Sequence, residues 1–526
     1  MHWADKIAQQ LVQSRPAKDE YICAAGISPS GPVHIGNFRD VATTFFVTRA
    51  LQDLGKKTCL LFSWDEFDRF RKVPANVPDN FGQYIGKAYS AVPDPLGCHA
   101  SYAAHFESEF EEAISNLGIR LNYRYQAAEY QSGSYSKWII TALCKRKQIY
   151  DISTEFRTQP PSEEEREDYY PILIYCNICG KDDTNVESLS NNGQELTYSC
   201  QCGNREILNL TEGGNFKLPW KIDWPMRWMY EKVDFEPGGK DHSTVGGSFY
   251  VAKRISEAIF NFPAPVFQGY EFVGLTGTTS KMSGSSGMSL TPGELLNIYQ
   301  PEIIRWLFAR IAPNKAFNFC LDEEILRQYD EFDKALTNVR DGRASNQVSR
   351  SIELSLIEGR KLVAIPFRQL ATFSTVIHGN LNALEEIFVR LGASYKESDF
   401  KERLGKAEFW LHNYCPENAI HLREFPDAQY FSQLNGEERR WVHDLRDSLS
   451  KTDMSFDELI ALLYSIPKLP GITDQENKLR QRHFFSVVYK LLIGKDTGPR
   501  LATFLKALGP TQVLSLLSFP NNRNIS

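Results

Sequence analysis

Two loops rich in small residues carry the residue types that handle phosphate groups. The first, residues 29–37 (PSGPVHIGN), follows an apolar run, precedes a helical pattern and contains His34. Glycines in such a loop let backbone amides approach an anion, and the start of a helix adds a positive dipole. The second, residues 281–285 (KMSGS), offers hydroxyls and a lysine that would stabilise charge developing on phosphate oxygens. Taken singly, each loop is also typical of a tight turn or a surface segment.

Four cysteines in the middle of the chain have the spacing of a metal site. They form one CxxC and one CxC pair, each followed by a glycine: Cys176, Cys179, Cys200 and Cys202. In a reducing compartment such pairs bind metal more often than they form disulfides. The spacing therefore predicts a closed tetrahedral zinc site that stabilises a small insertion.

A second group of potential metal ligands is compact in sequence. One oxygen, one sulfur and two nitrogen donors lie within 12 residues: Asp94, Cys98, His99 and His105. Donors of these types suit zinc. A solvated loop that runs into a helix would explain the same residues without a metal.

The hydrophobic pattern supplies a scaffold for these candidate sites. Residues 1–20 have a helical period, residues 21–25 are an apolar run, residues 38–54 are again helical, and residues 57–64 are a second apolar run. Strand, glycine-rich loop, helix and strand in this order predict a βαβ unit of a Rossmann-type parallel sheet. Ligands bind at the carboxyl ends of the strands in such sheets.

Composition limits the class of protein. The chain has 526 residues, a formal net charge of −6, 42% hydrophobic residues and 24% charged residues, which is ordinary for a globular protein of several domains. No apolar run reaches the roughly 18 residues of a membrane span, and the first residues lack a secretion signal. We therefore expect a cytoplasmic protein without membrane contact. Any site for nucleic acid must be a local basic patch.

The remainder of the chain divides by pattern. Residues 161–168 form an acidic run typical of a solvated loop, residues 215–275 return to an α/β pattern, and helical periodicity dominates from residue 290 onward. Residues 478–506 contain seven Lys and Arg against one Asp. Aromatic residues are interleaved with these charges: Phe484, Phe485, Tyr489 and Phe504. Such a mixture suits contact with unpaired bases, and it also suits amphipathic core helices.

Several separate segments resemble one enzyme family. Residues 34–37 (HIGN) and 281–285 (KMSGS) resemble the HIGH and KMSKS signatures of class I aminoacyl-tRNA synthetases. Four further segments are similar to class I lysyl-tRNA synthetases in particular: residues 1–5 (MHWAD), 64–74 (WDEFDRFRKVP), 223–228 (DWPMRW) and 239–248 (GKDHSTVGGS). The resemblance covers residues 1–310 and continues weakly to residues 498–500 (GPR).

The resemblance implies a ligase that acts in two steps of protein synthesis. L-Lysine and ATP with Mg²⁺ would give lysyl-adenylate and pyrophosphate, and the lysyl group would then pass to the 3′-terminal adenosine of tRNA-Lys. In-line attack at the α-phosphate depends on positioning and charge neutralisation more than on covalent help. Relatives similar in the stretch 94–105 bind a second zinc there, so the resemblance implies one Zn²⁺ and allows two.

The family's functional residues carry over by position. The catalytic residues would be His34, Asn37, Lys281, Ser283 and Ser285. ATP would be bound by residues of the two signature loops: Pro29, Gly31, His34, Gly36, Asn37 and Lys281. The pattern departs from the family at Asn37, which replaces a histidine, and at Gly284, which replaces a lysine. It also departs at Ser286, where related lysyl enzymes often carry Lys or Arg. Only Lys281 is left as a cation in the second loop.

By resemblance, six residues would line the lysine pocket: Gly26, Ser28, Asp65, Trp220, His242 and Tyr270. A long cationic side chain calls for aromatic faces and a carboxylate. Trp220 and Tyr270 suit the aromatic role, although both also suit core packing. Three acids follow the second predicted strand, and the sequence leaves open which of them pairs with an amino group of lysine: Asp65, Glu66 or Asp68.

The expected organisation has a catalytic half and a helical half. The predicted parts are an N-terminal helix (1–20), the first half of a Rossmann catalytic domain (21–100), an insertion with a zinc ribbon (101–214), the second catalytic half (215–275), a KMSKS-type loop with connecting helices (276–345) and an all-α anticodon-binding domain (346–526). Family relatives mostly act as monomers, and we expect the same here. The alternative is a synthetase-like protein that binds lysine or tRNA without charging, which the reduced set of loop cations favours.

Overall fold

The computed structural model describes residues 1–16, 18–75, 77–155, 157, 162–242, 244, 246–276, 290–377, 379–451 and 454–519. The chain divides into two compact units, Met1–Cys320 with Lys334–Arg360, and Leu321–Asp333 with Lys361–Ser526. The predicted site residues Lys281, Ser283 and Ser285 lie outside the described residues. Among the helices described, none combines the length and apolar character that crossing a membrane requires.

The strands of the first unit are β1 Glu20–Ile27, β2 Lys57–Trp64, β3 Asn122–Tyr125, β4 Leu173–Ile174, β5 Thr184–Leu189, β6 Glu195–Cys200, β7 Arg205–Asn209, β8 Phe216–Lys217, β9 Phe235–Gly239, β10 Val266–Tyr270, β11 Val273–Leu275 and β12 Phe317–Phe319. Its helices are α1 Trp3–Ser14, α2 Ile35–Asp53, α3 Tyr102–Asn116, α4 Gln126–Gln131, α5 Ser136–Cys144, α6 Arg146–Thr154, α7 Glu163–Glu167, α8 Trp220–Glu231, α9 Ser248–Ile259, α10 Pro292–Leu296, α11 Pro301–Arg310 and α13 Asn346–Ser355. Helix α12, Glu324–Arg340, contributes residues 324–333 to the second unit and 334–340 to the first.

The main sheet is parallel, with the strand order β10-β9-β1-β2-β3. Strand β1 pairs with β2 along its whole length, and the two are connected through α2, so the predicted βαβ unit is confirmed. The chain extends the sheet from β1 toward β3 and then returns to the other side of β1 with β9. The strand order therefore reverses between β1 and β9, which makes a crevice at their carboxyl ends.

Two element boundaries differ from the sequence prediction for identifiable reasons. The helix predicted over residues 1–20 ends at Ser14, because the residue before Pro16 is disfavoured in helical conformation. The helix predicted over residues 38–54 begins earlier, at Ile35, where the His34 side chain caps it. The strand predicted over residues 57–64 is confirmed as β2.

The insertion between β3 and β9 has its own antiparallel ribbon, β5-β6-β7, and the short pair β4-β8. Both pack on helices α5, α6 and α9 around a common core of buried aromatic and aliphatic residues: Tyr130, Tyr135, Ile139, Tyr198 and Phe216. The ribbon carries the four cysteines, and β8 leads directly into α8. The insertion is thus connected to the main sheet through the helix that follows it.

The second unit is helical, as predicted for the C-terminal part of the chain. Its further helices are α14 Phe367–Ser374, α15 Leu381–Arg390, α16 Glu397–Asn413, α17 Ala428–Gln433, α18 Gly436–Lys451, α19 Phe456–Ser465, α20 Asp474–Ile493, α21 Leu501–Leu508 and α22 Pro510–Leu516. Phe484, Tyr489 and Phe504 are buried in its core, so of the two roles left open for these aromatics the structure assigns core packing. After residue 290 the first unit still contains one short strand, β12, which pairs with β11.

Candidate active site

A cavity of about 90 Å³ lies toward the carboxyl ends of β1 and β9, where the strand order reverses. Gly26 of β1 and Gly238 of β9 line it. A Cβ at Gly26 would lie 3.2 Å from the Ser63 carbonyl oxygen, and one at Gly238 would lie 2.7 Å from the Phe267 ring. A side chain at either position would therefore collide with a neighbouring strand, so the packing of the sheet requires glycine at these two strand ends.

Two buried carboxyl groups line this cavity and form no ion pair among the residues described, Asp40 of α2 and Glu236 of β9. The Gly26 amide donates to Asp40 Oδ2 at 3.2 Å, and the Tyr270 hydroxyl also bonds this carboxyl. The indole N–H groups of Trp224 and Trp228 donate to Glu236 at 2.9 and 2.6 Å. Both carboxyls are thus held in place by neutral donors.

Their environment favours a bound cation. Burial, and then the neighbouring charge of Glu236, raises the pKa of Asp40 well above its usual range. Burial also raises the pKa of Glu236 to about 7, in spite of the two indole donors. A cation placed between the two groups would favour their ionised forms. Perturbed acids in a small crevice mark a functional-site candidate.

Aromatic rings complete one wall of the cavity. Trp220, Trp224 and Trp228 follow one another on α8 at four-residue spacing, which puts them on one helix face. Neighbouring ring centroids lie 4.8 and 4.9 Å apart. The His242 ring meets Trp224 edge-on at 5.7 Å. Such faces suit an alkyl chain that ends in a cation.

A buried set of ion pairs supports this wall. Arg227 Nη1 lies 2.8 Å from Asp65 Oδ1, and Nη2 lies 3.2 Å from Asp223 Oδ2. The same guanidinium lies 5.2 Å from the Trp220 ring centroid. Lys217, which is 2% exposed, lies 2.5 Å from Asp68 Oδ1. Opposite charges within these distances lower the cost of burying each group.

The three acids that follow β2 therefore already have partners. Asp65 pairs with Arg227, and Asp68 pairs with Lys217 and accepts the Ser28 hydroxyl at 3.0 Å. Glu66 accepts the amides of Gln126 and Ala127, at the start of α4, at 3.0 and 2.7 Å. Of the acids that line the cavity, Asp40 and Glu236 form no ion pair among the residues that the structure describes, and sequence reasoning missed both. A charged residue inside an apolar strand (Phe235-Glu236-Pro237) or on the buried face of a helix was the signal that could have found them.

Five of the six residues expected around lysine line the cavity: Gly26, Asp65, Trp220, His242 and Tyr270. The sixth, Ser28, lies just beyond the end of β1, and its hydroxyl donates to Asp68 instead. The structure thus brings together residues that are up to 244 positions apart, from Gly26 to Tyr270. Which of them contacts a ligand stays a prediction.

The first signature loop leads into the start of α2. His34 is the N-cap, and its Nδ1 accepts the Gly36 amide at 3.1 Å. A neutral His34 therefore carries its proton on Nε2, which makes that nitrogen a donor. A Cβ at Gly36 would lie 2.8 Å from the His34 ring, so glycine is required there. Asn37 lies in the same first turn, half-buried, while Pro29 and Gly31 form the approach to it.

Residues on either side of the second signature loop lie next to the first turn of α2. The Ile35 amide donates to the Leu290 carbonyl at 2.7 Å. A Cβ at Gly36 would lie 3.4 Å from the Val273 carbonyl oxygen. Residues 273 and 290 flank the segment that contains Lys281, Ser283 and Ser285, so both flanks adjoin the first turn of α2.

The four cysteines of the insertion form a compact cluster. Cys176 Sγ lies 3.7 Å from Cys202 Sγ, and Cys179 Sγ lies 3.6 Å from Cys200 Sγ. All four sulfur atoms lie within 4.8 Å of one another. A zinc–sulfur bond of roughly 2.3 Å gives a tetrahedral edge of about 3.8 Å, so the arrangement fits a zinc ion. Gly180 and Gly203, with φ of 73° and 92°, form the tight turns after each pair.

The second predicted group of ligands is also brought together. The donor atoms of Asp94, Cys98, His99 and His105 lie within 4.8 Å of one another. Cys98 Sγ lies 3.1 Å from His99 Nδ1 and 3.3 Å from His105 Nδ1. Asp94 holds the loop by accepting the amides of Leu96, Cys98 and His99. Mixed oxygen, sulfur and nitrogen donors at this separation fit zinc.

The chain is similar over most of its length to proteins of one enzyme family. A family model described as tRNA synthetases class I (K) matches residues 1–358. The lysine–tRNA ligase of Thermococcus kodakarensis is 38% identical over 98% of this chain and 99% of its own length. That of Treponema pallidum is 36% identical over 98% of both chains. Among solved structures, a glutamate tRNA ligase from Elizabethkingia meningosepticum covers 95% of this chain and 98% of its own, with 13% identity and a TM-score of 0.42.

The match of the family model extends over more than half of the chain, and the relatives align with it from end to end. On these grounds the chain belongs to the class I tRNA synthetase (K) family.

Proposed function

We propose that this protein is a lysine–tRNA ligase. It activates L-lysine with ATP and Mg²⁺ to lysyl-adenylate and transfers the lysyl group to the 3′-terminal adenosine of tRNA-Lys. The observation that carries the proposal is the pair of buried carboxyls, Asp40 and Glu236, in a cavity walled by tryptophans. The full-length relatives with this activity in their names support it.

The cavity accounts for the choice of lysine. The ε-ammonium of the substrate lies between Asp40 and Glu236, and the alkyl stem lies along Trp220 and Trp224. Asp65 contributes to the pocket indirectly. Its carboxylate pairs with Arg227, whose guanidinium lies against the Trp220 ring. A glutamate substrate would place a third carboxylate beside two buried acids, which is unfavourable. A neutral side chain would leave both acids without compensation.

The start of α2 suits the phosphates of ATP. Its first-turn amides and the His34 Nε2–H donor offer positive partial charge, which the helix dipole increases. Gly31 and Gly36 let the nucleotide approach the backbone, and Asn37 donates from the first turn. The lysine carboxylate then attacks the α-phosphate, and pyrophosphate leaves. Mg²⁺ supplies charge neutralisation on the phosphate oxygens.

Lys281 is the cation for the departing pyrophosphate, with Ser283 and Ser285 as hydroxyl donors. The flanks of this segment adjoin the first turn of α2, which supports the assignment. The loop acts in the transition state, because charge on the leaving pyrophosphate develops there. Replacing Lys281 with alanine should lower kcat for adenylation far more than it weakens ATP binding.

The second unit offers a place for the anticodon. A groove of about 820 Å³ within this unit is lined by Arg368, Lys495 and the 498–500 segment (GPR). A Cβ at Gly498 would lie 2.7 Å from the Tyr489 ring, so this segment packs tightly on α20. Arginine and lysine beside a groove suit the phosphates and splayed bases of a single-stranded loop. We propose this groove as the site for the anticodon of tRNA-Lys.

Zinc is proposed at the Cys176–Cys202 cluster, where it holds the ribbon, and at the Asp94–His105 cluster, where it holds the start of α3. Both roles are structural, because all four donors at each cluster come from protein and a closed zinc site keeps no position for substrate. We further propose a monomeric enzyme of the cytoplasm.

The test is lysine-dependent ATP–pyrophosphate exchange with purified, zinc-replete protein, followed by charging of tRNA-Lys. Exchange with lysine, but with none of the other amino acids including glutamate, is the expected result. Folded protein that binds lysine or tRNA without any exchange would instead be a synthetase-like binding protein. Exchange with another amino acid would reject the assignment of the cavity to lysine.

A further inference from the structure

A buried tyrosine from another part of the chain forms a hydrogen bond with the backbone of the first signature loop. The Tyr102 hydroxyl donates to the Ser30 carbonyl at 3.0 Å. Tyr102 is 0% exposed, whereas Ser30 lies on the exposed side of the loop. Pro29, Gly31 and Val33 of the loop are buried, and the bond from Tyr102 adds a fixed point at the exposed residue Ser30. This hydrogen bond therefore fixes the approach of the loop to the nucleotide.

Tyr102 belongs to the same structural piece as the second metal cluster. It is the first residue of α3, whose N-cap is Ser101, and His105 follows one turn later. The Tyr102 amide donates to the Val92 carbonyl at 2.8 Å, two residues before Asp94. A metal bound by Asp94 and His105 would join the preceding loop to this first turn, and Tyr102 lies between the two.

The tyrosine ring has no room to adjust independently. Its centroid lies 5.3 Å from that of Phe70, 5.8 Å from Tyr89 and 4.9 Å from Phe106. The rings of this cluster are buried. Because packed aromatic rings move as a unit, a shift of the start of α3 is passed to the hydroxyl and so to Ser30.

We infer that Tyr102 is a positioning residue that couples occupation of the Asp94–Cys98–His99–His105 cluster by metal to the ATP-binding conformation of residues 29–37. The inference rests on the proposed function of that loop. It gives the second cluster a role in nucleotide affinity in addition to holding its own helix.

The first experiment compares Tyr102→Phe with Tyr21→Phe. Both tyrosines are fully buried, and each donates to one backbone carbonyl, that of Ser30 for Tyr102 and that of Arg15 for Tyr21. Each substitution removes a hydroxyl and keeps the ring. We expect Tyr102→Phe to weaken ATP binding about three- to tenfold, the effect of one buried hydrogen bond. The KM for lysine should stay within about twofold of the original protein, and Tyr21→Phe should leave both values unchanged.

The second experiment tests the coupling to the metal. His99 is partly exposed, so His99→Ala removes one ligand without opening the core. Zinc content is measured for each variant by mass spectrometry, and ATP affinity is measured by equilibrium dialysis. We expect His99→Ala to lose one zinc and to weaken ATP binding in the original background. In the Tyr102→Phe background the same substitution should lose the zinc and change ATP affinity by less than about twofold, because interacting positions are not additive.

Several results would overturn the inference. One is an ATP affinity that does not change in Tyr102→Phe. Another is a loss of ATP affinity in the double variant that equals the product of the losses in Tyr102→Phe and His99→Ala. Equal losses for ATP and lysine together with a lowered melting temperature would assign Tyr102 a packing role alone. The proposed function fails separately, because absence of lysine-dependent exchange in the unaltered protein would already be seen before any variant is made.

Discussion

Replacing Asp40 with asparagine removes one negative charge from the cavity and almost nothing else. The side-chain oxygen of asparagine can still accept the Gly26 amide, which lies 3.2 Å from Asp40 Oδ2. Its amide nitrogen can donate to the Tyr270 hydroxyl, which now acts as acceptor. The packing of α2 against β1 is therefore retained, and the variant isolates the contribution of charge to substrate binding.

The magnitude follows from the geometry of the site. A hydrogen bond between a carboxylate and an ammonium contributes about 2–3 kcal/mol when it is shielded from water. Its loss should raise the KM for lysine roughly 30- to 150-fold, at 1.4 kcal/mol per tenfold. The KM for ATP should change by less than about twofold, because Asp40 lines the cavity proposed for lysine and its carboxyl bonds Gly26 and Tyr270.

The same variant should be more stable than the original protein in the absence of lysine. Burial raises the pKa of Asp40 above its value in the unfolded chain, so ionising this group in the folded protein is costly at pH above the unfolded value. Asparagine removes that cost. The gain in the free energy of unfolding should therefore grow as pH rises and vanish in acid.

Steady-state ATP–pyrophosphate exchange gives the two KM values, and urea unfolding gives the stability. Glu107→Gln is the matched control, because burial raises the pKa of Glu107 to about 8 and this residue does not line the cavity. Weaker lysine binding together with greater stability is the expected signature. If Asp40→Asn left the KM for lysine unchanged, or raised both KM values while lowering stability, the assignment of Asp40 to the ammonium group would be refuted.

Three further predictions concern pH, zinc and buried charge. Burial raises the pKa of Glu236 to about 7, and we propose that lysine binds the protein in which Glu236 is ionised. The KM for lysine in exchange assays should therefore rise as pH falls below 7. Glu236→Gln should flatten this dependence of KM on pH. Cys179→Ser should lose the ribbon's zinc and open residues 176–205 to protease while the other cluster keeps its metal, as zinc content and limited proteolysis would record. Lys217→Met removes the cation that pairs with the half-buried Asp68 and should lower the free energy of unfolding by about 1–3 kcal/mol; Asp68→Asn added to it should recover part, and no recovery would contradict the pairing.

The fold was accessible to sequence reasoning where local patterns decide structure. The apolar runs around residues 21–25 and 57–64 and the helix between them predicted a parallel pair, which the register of β1 and β2 confirms. The end of α1 at Ser14 is also encoded locally, because the residue before Pro16 is disfavoured in a helix. The sequence did not predict strand β12, because three residues are too few to show the alternating hydrophobic pattern of a strand.

The candidate site was accessible only in part, because burial and pairing are properties of the folded chain. The clustering of the two sets of potential metal ligands could be predicted, since ligand type and spacing are both local. The partners of Asp65, Glu66 and Asp68 could not, because Arg227, the start of α4 and Lys217 reach them from far along the sequence. With those acids occupied, Asp40 and Glu236 remain, and the sequence marks them only as charged residues on a buried helix face and in an apolar strand.

The row of tryptophans on α8 should make the intrinsic fluorescence of the protein sensitive to what occupies the cavity. Three of the nine tryptophans in the chain pack against one another there, and two of them share the Glu236 carboxyl through their indole N–H groups. A cation that settles against Glu236 changes the electric field across both indoles, and a change of charge on Glu236 with pH does the same. The intrinsic fluorescence of the unlabelled protein should therefore follow filling of the cavity in real time, so that arrival of the amino acid can be timed separately from the chemistry that consumes it.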